Sequence, residues 1–304
     1  QVEPGKVYGV RVMEGYSSEE GFPMDFGTTM FEGHTLLGVA PLASDNSWAA
    51  LVPANVPVHL QLIDRFGLTV VNEPVWQSAK PGESRMCGGC HEDRAEATVV
   101  QPGPVQALIA GPVPMLQDTP RVARKSDVFT RDALRGVPWD QALQPIFDAK
   151  CVSCHDGTAN GMNPSYTISD PETGASATWT FDLSDGPAQL AVGDFLVDGY
   201  SKSYISLVGL DAEDLDKANV VVVGDMVRYL LPMATEMPLL SLLNPPQQFP
   251  TQDPGVRAYA GQTHAQVAGF TDLTPDEYYT LVTSAAMGAL FYSRENAPLA
   301  TYAP

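Results

Sequence analysis

The chain has 304 residues, 44% of them hydrophobic, which supplies a sizeable core and a length suited to roughly two domains. Asp and Glu number 36 against 17 Lys and Arg, a formal charge of −19; a field that negative repels phosphate backbones and anionic lipid, so no nucleic-acid partner is expected and membrane surfaces are poor partners. Gly and Pro number 26 each and only 17% of residues are charged, a turn-rich composition, and no apolar run reaches the roughly 18 residues of a membrane-crossing helix.

The first hundred residues read as β-structure. Val7–Val12 and Thr35–Val39 alternate, the turn cluster Ser44-Asp45-Asn46-Ser47 follows, and Trp48–Val52 reads as the return strand. Val56–Ile63, the turn Asp64-Arg65-Phe66-Gly67 and Leu68–Val71 form the clearest hairpin. Residues 1–100 are thus expected to form an antiparallel β sandwich or barrel-like domain, with the motif Cys87-Gly88-Gly89-Cys90-His91 at its C-terminal edge. Residues 101–125 hold Pro102, Pro104, Pro112, Pro114 and Pro120 and read as an extended linker.

Residues 126–304 read as a second, mainly helical and loop-rich domain. Leu143, Ile146 and Phe147 give Trp139–Lys150 a helical period that ends at a second motif, Cys151-Val152-Ser153-Cys154-His155. Residues 157–200 read as an irregular loop with one hairpin around Ala177–Leu183, and Ser203–Val208, Ala218–Leu231 and Pro238–Leu243 as short helices or buried segments. The acidic run Asp211–Asp216 lacks calcium-loop spacing and reads as a solvated face. The last helix starts at Thr274, an N-cap followed by Pro275 at the first helical position and Glu277 at the third.

The two motifs use all 4 Cys of the chain. Cys-x-x-Cys-His is the attachment signature of c-type haem. Two thiols reach the two vinyl groups on one edge of the porphyrin, and the next residue places an imidazole under the iron. A four-thiolate zinc site would leave both following His residues unexplained, and a redox dithiol would need one motif on a βαβ unit. The expectation is two covalently attached haem c groups, on Cys87, Cys90 and His91 and on Cys151, Cys154 and His155, giving the second domain a cytochrome c-like character. Such attachment takes place outside the cytoplasm, so the protein is expected to be exported, to the periplasm or the cell surface. A chain that opens at Gln1 fits a mature form from which an export signal has been cut.

Low-spin haems need a sixth ligand. Beyond the motifs the chain has His34, His59 and His264. His264 is the expected distal ligand of haem 2. His59 is the candidate for haem 1, with His34 as the alternative and Met226, Met233 and Met237 as fallbacks; a neighbouring chain could also supply a ligand. Trp76, Tyr204, Tyr278 and Tyr279 read as core or haem-packing aromatics, and Arg85, Arg94 and Lys150 as surface charges or partners of haem propionates.

Val52-Pro53-Ala54-Asn55-Val56-Pro57-Val58-His59-Leu60-Gln61-Leu62-Ile63-Asp64, Gly67, Trp76, Pro81-Gly82-Glu83 and Cys87–Glu92 resemble the haem-bearing middle domain of the hydrazine synthase alpha-subunit family, over residues 30–95. The second half is similar to the helical haem domain that follows it, through Gln144-Pro145-Ile146-Phe147, Cys151–His155, Asp182-Leu183-Ser184, Ser203-Tyr204, a lone His, Leu273-Thr274 and the terminal helix. Two places in the chain depart from the family pattern. Ser284-Ala285-Ala286 stands where many such domains carry Trp-Ile-Asp, and Ala95 stands where the synthase's reactive haem takes a Tyr ligand. The resemblance therefore implies the scaffold, a β-rich haem domain followed by a helical one, and not the synthase's activity.

The reading that follows is a di-haem cytochrome carrying electrons outside the cytoplasm, passing them to other redox proteins or cytochromes within a larger assembly, a homo-oligomer or a filament. The alternative is a di-haem enzyme, peroxidase-like or acting on nitrogen compounds, with one open haem site. Enough His residues to close both irons favour the carrier over the enzyme.

Overall fold

Period-two alternation splits the first strands into an apolar face and a polar face, and this sets the architecture of the N-terminal part. In a computed structural model, which describes residues 5–16, 27–28, 33–65, 67–73, 75–88, 103–115, 137–159, 162–210, 220–223, 229–230, 239, 264 and 273–292, the chain divides into two compact units. One comprises Gln1–Tyr16 and His34–Arg121, the other Ser17–Gly33 and Val122–Pro304.

In the first unit, β1 (Gly9–Tyr16) and β2 (Gly33–Pro41) are neighbours in a four-stranded sheet completed by β4 (Val58–Ile63) and β5 (Thr69–Asn72), in the order β2-β1-β4-β5. β4 runs antiparallel to β1, Gly9 facing Ile63 and Met13 facing His59, and antiparallel to β5 as the sequence predicts. The β4–β5 turn is closed by Asp64, whose carboxylate accepts the Leu68 N–H at 2.9 Å, and by Gly67, whose φ of 87° suits only glycine well. On the apolar face Val10, Val12, Leu37, Ala40, Val58 and Met115 form the core, each large apolar side chain contributing about 1.5–3 kcal/mol by burial.

The predicted return strand behaves differently. Trp48–Val52 does not fold back on Thr35–Val39; only β3 (Ala50–Leu51) is extended, and it pairs in parallel with β6 (Val113–Pro114). The Pro-rich stretch thus supplies a strand to this unit, together with the short helix α1 (Gln106–Ala110) and the buried Met115. Asp45 and Ser47 fasten it: the Asp45 carboxylate accepts the Gln106 N–H at 2.9 Å and the Ser47 hydroxyl accepts the Ala107 N–H at 3.0 Å.

The second unit carries more strand than its composition suggests. β7 (Ser165–Ser169) pairs antiparallel with β8 (Ser176–Thr180) and with β11 (Val221–Val223), and β9 (Leu190–Val192) pairs antiparallel with β10 (Phe195–Val197). Residues 162–200 thus hold two hairpins where one, around Ala177–Leu183, was expected within an irregular loop, and β11 lies where a helix or buried segment was expected. Among the described residues the unit combines short antiparallel sheets with few helices, more strand than the expectation of a mainly helical domain allowed. The β7–β8 hairpin is built on Ser and Thr, whose exposed faces pair across strands, Ser165 with Thr180 at 3.0 Å and Thr167 with Thr178 at 3.2 Å.

The helices fall where their signals placed them. A π-helical turn, Trp139–Leu143, runs into α2 (Gln144–Lys150); α3 spans Lys202–Val208 and α4 spans Pro275–Ala286. α4 opens with a reciprocal cap: the Thr274 hydroxyl accepts the Glu277 N–H, and the Glu277 carboxylate accepts the Thr274 N–H at 2.7 Å. Its inner face buries Tyr278, Leu281, Val282 and Ala285. Among the described residues no helix is long and apolar enough to cross a membrane.

Candidate functional site

α2 delivers the second Cys-x-x-Cys-His segment, and a buried hydrogen-bond network holds α2 in place. Gln144, 2% exposed, donates from Nε2 to the Leu183 carbonyl at 3.0 Å and to Asp148 at 2.8 Å, and its Oε1 accepts from the Ser203 hydroxyl at 2.6 Å. Ser203 in turn accepts the Trp139 Nε1–H at 2.9 Å. Trp139 packs against Phe147 and edge-on against Tyr204, with centroids 5.5 Å and 4.8 Å apart. The motifs Gln144–Phe147, Asp182–Ser184 and Ser203-Tyr204 are thus one physical unit behind the cysteines.

Beyond α2 the chain turns sharply. The Cys151 N–H donates to Phe147 O at 2.8 Å and the His155 N–H to Cys151 O at 2.9 Å. Burial, with Cys154 and Glu277 adding and Lys150 opposing, pushes the Cys151 thiol up to about 12. Next to the motif, Asp156 is held below the ordinary carboxylate range, chiefly by the backbone N–H of Thr158. Gly157 has a φ of +77°, and a Cβ there would lie 2.7 Å from the Asp182 carboxylate. Asp182 is itself buried and paired with Lys202 at 3.0 Å.

The structure brings His155 and His264 together, their ring centroids 6.0 Å apart. An imidazole nitrogen sits about 2 Å from a bound metal. The spacing leaves room for one metal ion, such as a haem iron, to be held between the two imidazoles. The Phe181 ring stands edge-on to His155 at 5.2 Å, and Tyr229 stands edge-on to Phe181 at 5.2 Å. His155 Nδ1 lies 3.1 Å from Oδ1 of Asn163, a buried residue that sequence reasoning did not single out. Nothing in the spacing marks Asn163; preceding a proline, it reads as an ordinary turn residue.

In the first unit the polar face of the sheet is also buried. Arg11 on β1 donates to Gln61 Oε1 at 2.9 Å and to the Gly67 carbonyl, and Gln61 donates to Asn72 at 2.7 Å. On the same face His59 Nε2 donates to the Glu73 carbonyl at 2.6 Å, which places the ring's proton on Nε2 and its lone pair on Nδ1. His34 and His59 are both buried with centroids 6.0 Å apart, and the Trp76 ring lies 5.1 Å from each. Trp76 thus packs against both imidazoles.

Cys87 is exposed, while Cys90 and His91 lie outside the described residues, as do Arg94, Ala95, Met226, Met233, Met237 and the acidic run 211–216. Arg85 pairs with Glu83 at 3.3 Å and Lys150 with Glu277 at 3.8 Å. Among the described residues no three His, Cys, Asp or Glu side chains gather as a metal-ion cluster.

Fold and site together define a β-rich chain of two units, each with a Cys-x-x-Cys-His segment and imidazoles in the same unit. Its relatives are particular. Residues 5–92 match the family described as the hydrazine synthase alpha subunit middle domain. Hydrazine synthase subunit alpha of Kuenenia stuttgartiensis is 23% identical over 51% of this chain. The solved hydrazine synthase of Kuenenia stuttgartiensis superposes with a TM-score of 0.60 at 20% identity, covering 96% of this chain, a likeness of fold. The chain spans 26% of the curated relative and 40% of the solved chain.

Proposed function

We propose that the protein is a di-haem c-type cytochrome that carries electrons outside the cytoplasm. Haem 1 is attached through Cys87 and Cys90 with His91 as proximal ligand and His59 as distal ligand, His34 being the alternative. Haem 2 is attached through Cys151 and Cys154 between His155 and His264. The observation that carries the reading is the 6.0 Å spacing of His155 and His264, the first of which closes a Cys-x-x-Cys-His motif. When bound, the haems supply one-electron chemistry. The chain's own residues fix the imidazoles, exclude water with Phe181 and Tyr229, and present an acidic surface that steers basic partners. Those partners are other redox proteins, or further copies of this chain, in an exported assembly.

Intact mass and the spectrum of the oxidised protein test this. The mass should exceed the polypeptide by two haems and both irons should be low-spin. His264→Ala should turn haem 2 high-spin and leave haem 1 unchanged. Colour extracted from the denatured protein by organic solvent would falsify covalent attachment.

A second reading is an enzyme of nitrogen compounds or peroxide with an open iron site in the first unit. It draws on the match of residues 5–92 to a synthase subunit and on the buried polar face of Arg11, Gln61 and His59. Fast turnover of peroxide, nitrite, hydroxylamine, or nitric oxide with ammonium, with a high-spin haem 1, would favour it over electron exchange with a second cytochrome.

A further inference from the structure

We infer that Asn163 is a positioning residue for haem 2: its side-chain oxygen holds the His155 imidazole in the tautomer that offers Nε2 to the iron and sets the potential of that iron. The inference rests on the reading of His155 as the proximal ligand. Its geometry is independent of that reading. Asn163 is 3% exposed, and its amide nitrogen faces two carbonyl oxygens, of Thr158 at 2.9 Å and of Cys154 at 3.4 Å. A carbonyl can only accept, so the amide orientation is fixed by its surroundings. The reverse orientation would set three oxygens against each other. Oδ1 is thereby left facing His155 Nδ1 at 3.1 Å. An oxygen there requires a proton on Nδ1, which leaves the lone pair on Nε2.

Two of the three Asn163 contacts reach into the motif itself, to the carbonyl of Cys154 and to the ring of the next residue. The side chain thus ties the thioether-forming segment and the imidazole to one buried group. It also tunes the ring. An acceptor on Nδ1–H makes the imidazole a stronger donor and favours the ferric iron, and a neutral amide does so less than a carboxylate would. Asn163 therefore poises haem 2 above the value an aspartate would give and below the value without an acceptor.

The test is redox titration of haem 2 in the full-length holoprotein and in Asn163→Leu and Asn163→Asp. Asn163→Leu should raise the midpoint, and Asn163→Asp should lower it. In each the ferrous-to-ferric ratio at fixed potential should change three- to tenfold, about 30–60 mV for a one-electron couple. Haem 1 should not move. Opposite shifts from two variants at one buried position are not the signature of mere loosening. An unchanged haem 2 midpoint in Asn163→Leu, with haem 2 attached and low-spin, overturns the inference. A wild-type protein whose mass lacks the second haem overturns the underlying reading instead.

Should both variants fail to accumulate, the reduced wild-type protein labelled with ¹⁵N-histidine decides. A His155 Nδ1 proton, assigned by its contact with the Phe181 ring, that is protected from exchange with water supports the inference. Exchange within seconds overturns it.

Discussion

Ser203→Ala is the sharpest probe of the scaffold behind the second motif. Ser203 is fully buried; it accepts the Trp139 Nε1–H at 2.9 Å and donates to Gln144 Oε1 at 2.6 Å. Removing the hydroxyl orphans two buried donors, the Trp139 N–H and the Ser201 hydroxyl 2.8 Å away, and one buried acceptor, each costing about 1–3 kcal/mol. The three share one hydroxyl and do not add fully, so the expected loss is about 2–4 kcal/mol. At about 2–4 °C per kcal/mol for a unit of this size, the melting temperature should fall by roughly 5–15 °C. Far-UV circular dichroism during thermal and urea unfolding measures this. The double variant with Trp139→Phe should cost less than the sum of the single changes, because the orphaned indole N–H is then gone. A loss below about 0.5 kcal/mol, the range of an ordinary surface change, would refute the reasoning.

Two further outcomes follow from local geometry. A Cβ at Gly15 would lie 2.3 Å from the Trp76 indole, so Gly15→Ala should displace that ring from His34 and His59 and cost about 1–3 kcal/mol; an unchanged near-UV spectrum and unchanged stability would argue against the packing described. The Asp170 carboxyl is held below its ordinary value, first by the Thr173 hydroxyl and then by the backbone N–H groups of Glu172 and Thr173. Its contribution to the β7–β8 hairpin is in place above the ordinary carboxylate range and is lost as pH falls through the lowered value. A side-chain NMR titration should show a midpoint below that of free aspartate, moving back up in Thr173→Val, and a midpoint at or above the free value would contradict the hydrogen bonds.

The sequence made legible what rests on local chemistry. The β4–β5 hairpin is written in its alternation and its Gly67 turn, and the start of α4 in Thr274, Pro275 and Glu277. The pairing of β1 with β4 and of β3 with β6 was not legible, because partner choice depends on contacts distant in sequence. β8 was legible in part, as the hairpin expected around Ala177–Leu183, but its partner β7 was hidden by its own composition: its exposed face is Ser and Thr, residues equally at home in loops. At the site, the spacing of Cys and His announced itself, and His155 and His264 do come together across more than a hundred residues. Asn163 carried no such mark, since its role is to satisfy two carbonyls and one ring that only the folded chain assembles.

The strand order has a consequence for how the chain can be divided. β1 and β2 are neighbours in one sheet, yet residues 17–33 between them belong to the other unit. There the Thr28 N–H donates to the Tyr204 hydroxyl at 3.0 Å, the Thr28 hydroxyl donates to the Gly209 carbonyl at 3.1 Å, and Gly27 leaves no room for a side chain above that tyrosine. The polypeptide is therefore stitched, passing from one unit to the other and back before it passes over for good. No single cut yields two complete halves: a fragment beginning near Val122 lacks the strap over Tyr204, and a fragment ending there still carries it. Thr28 therefore completes the second unit with a segment that lies, in sequence, between two neighbouring strands of the first.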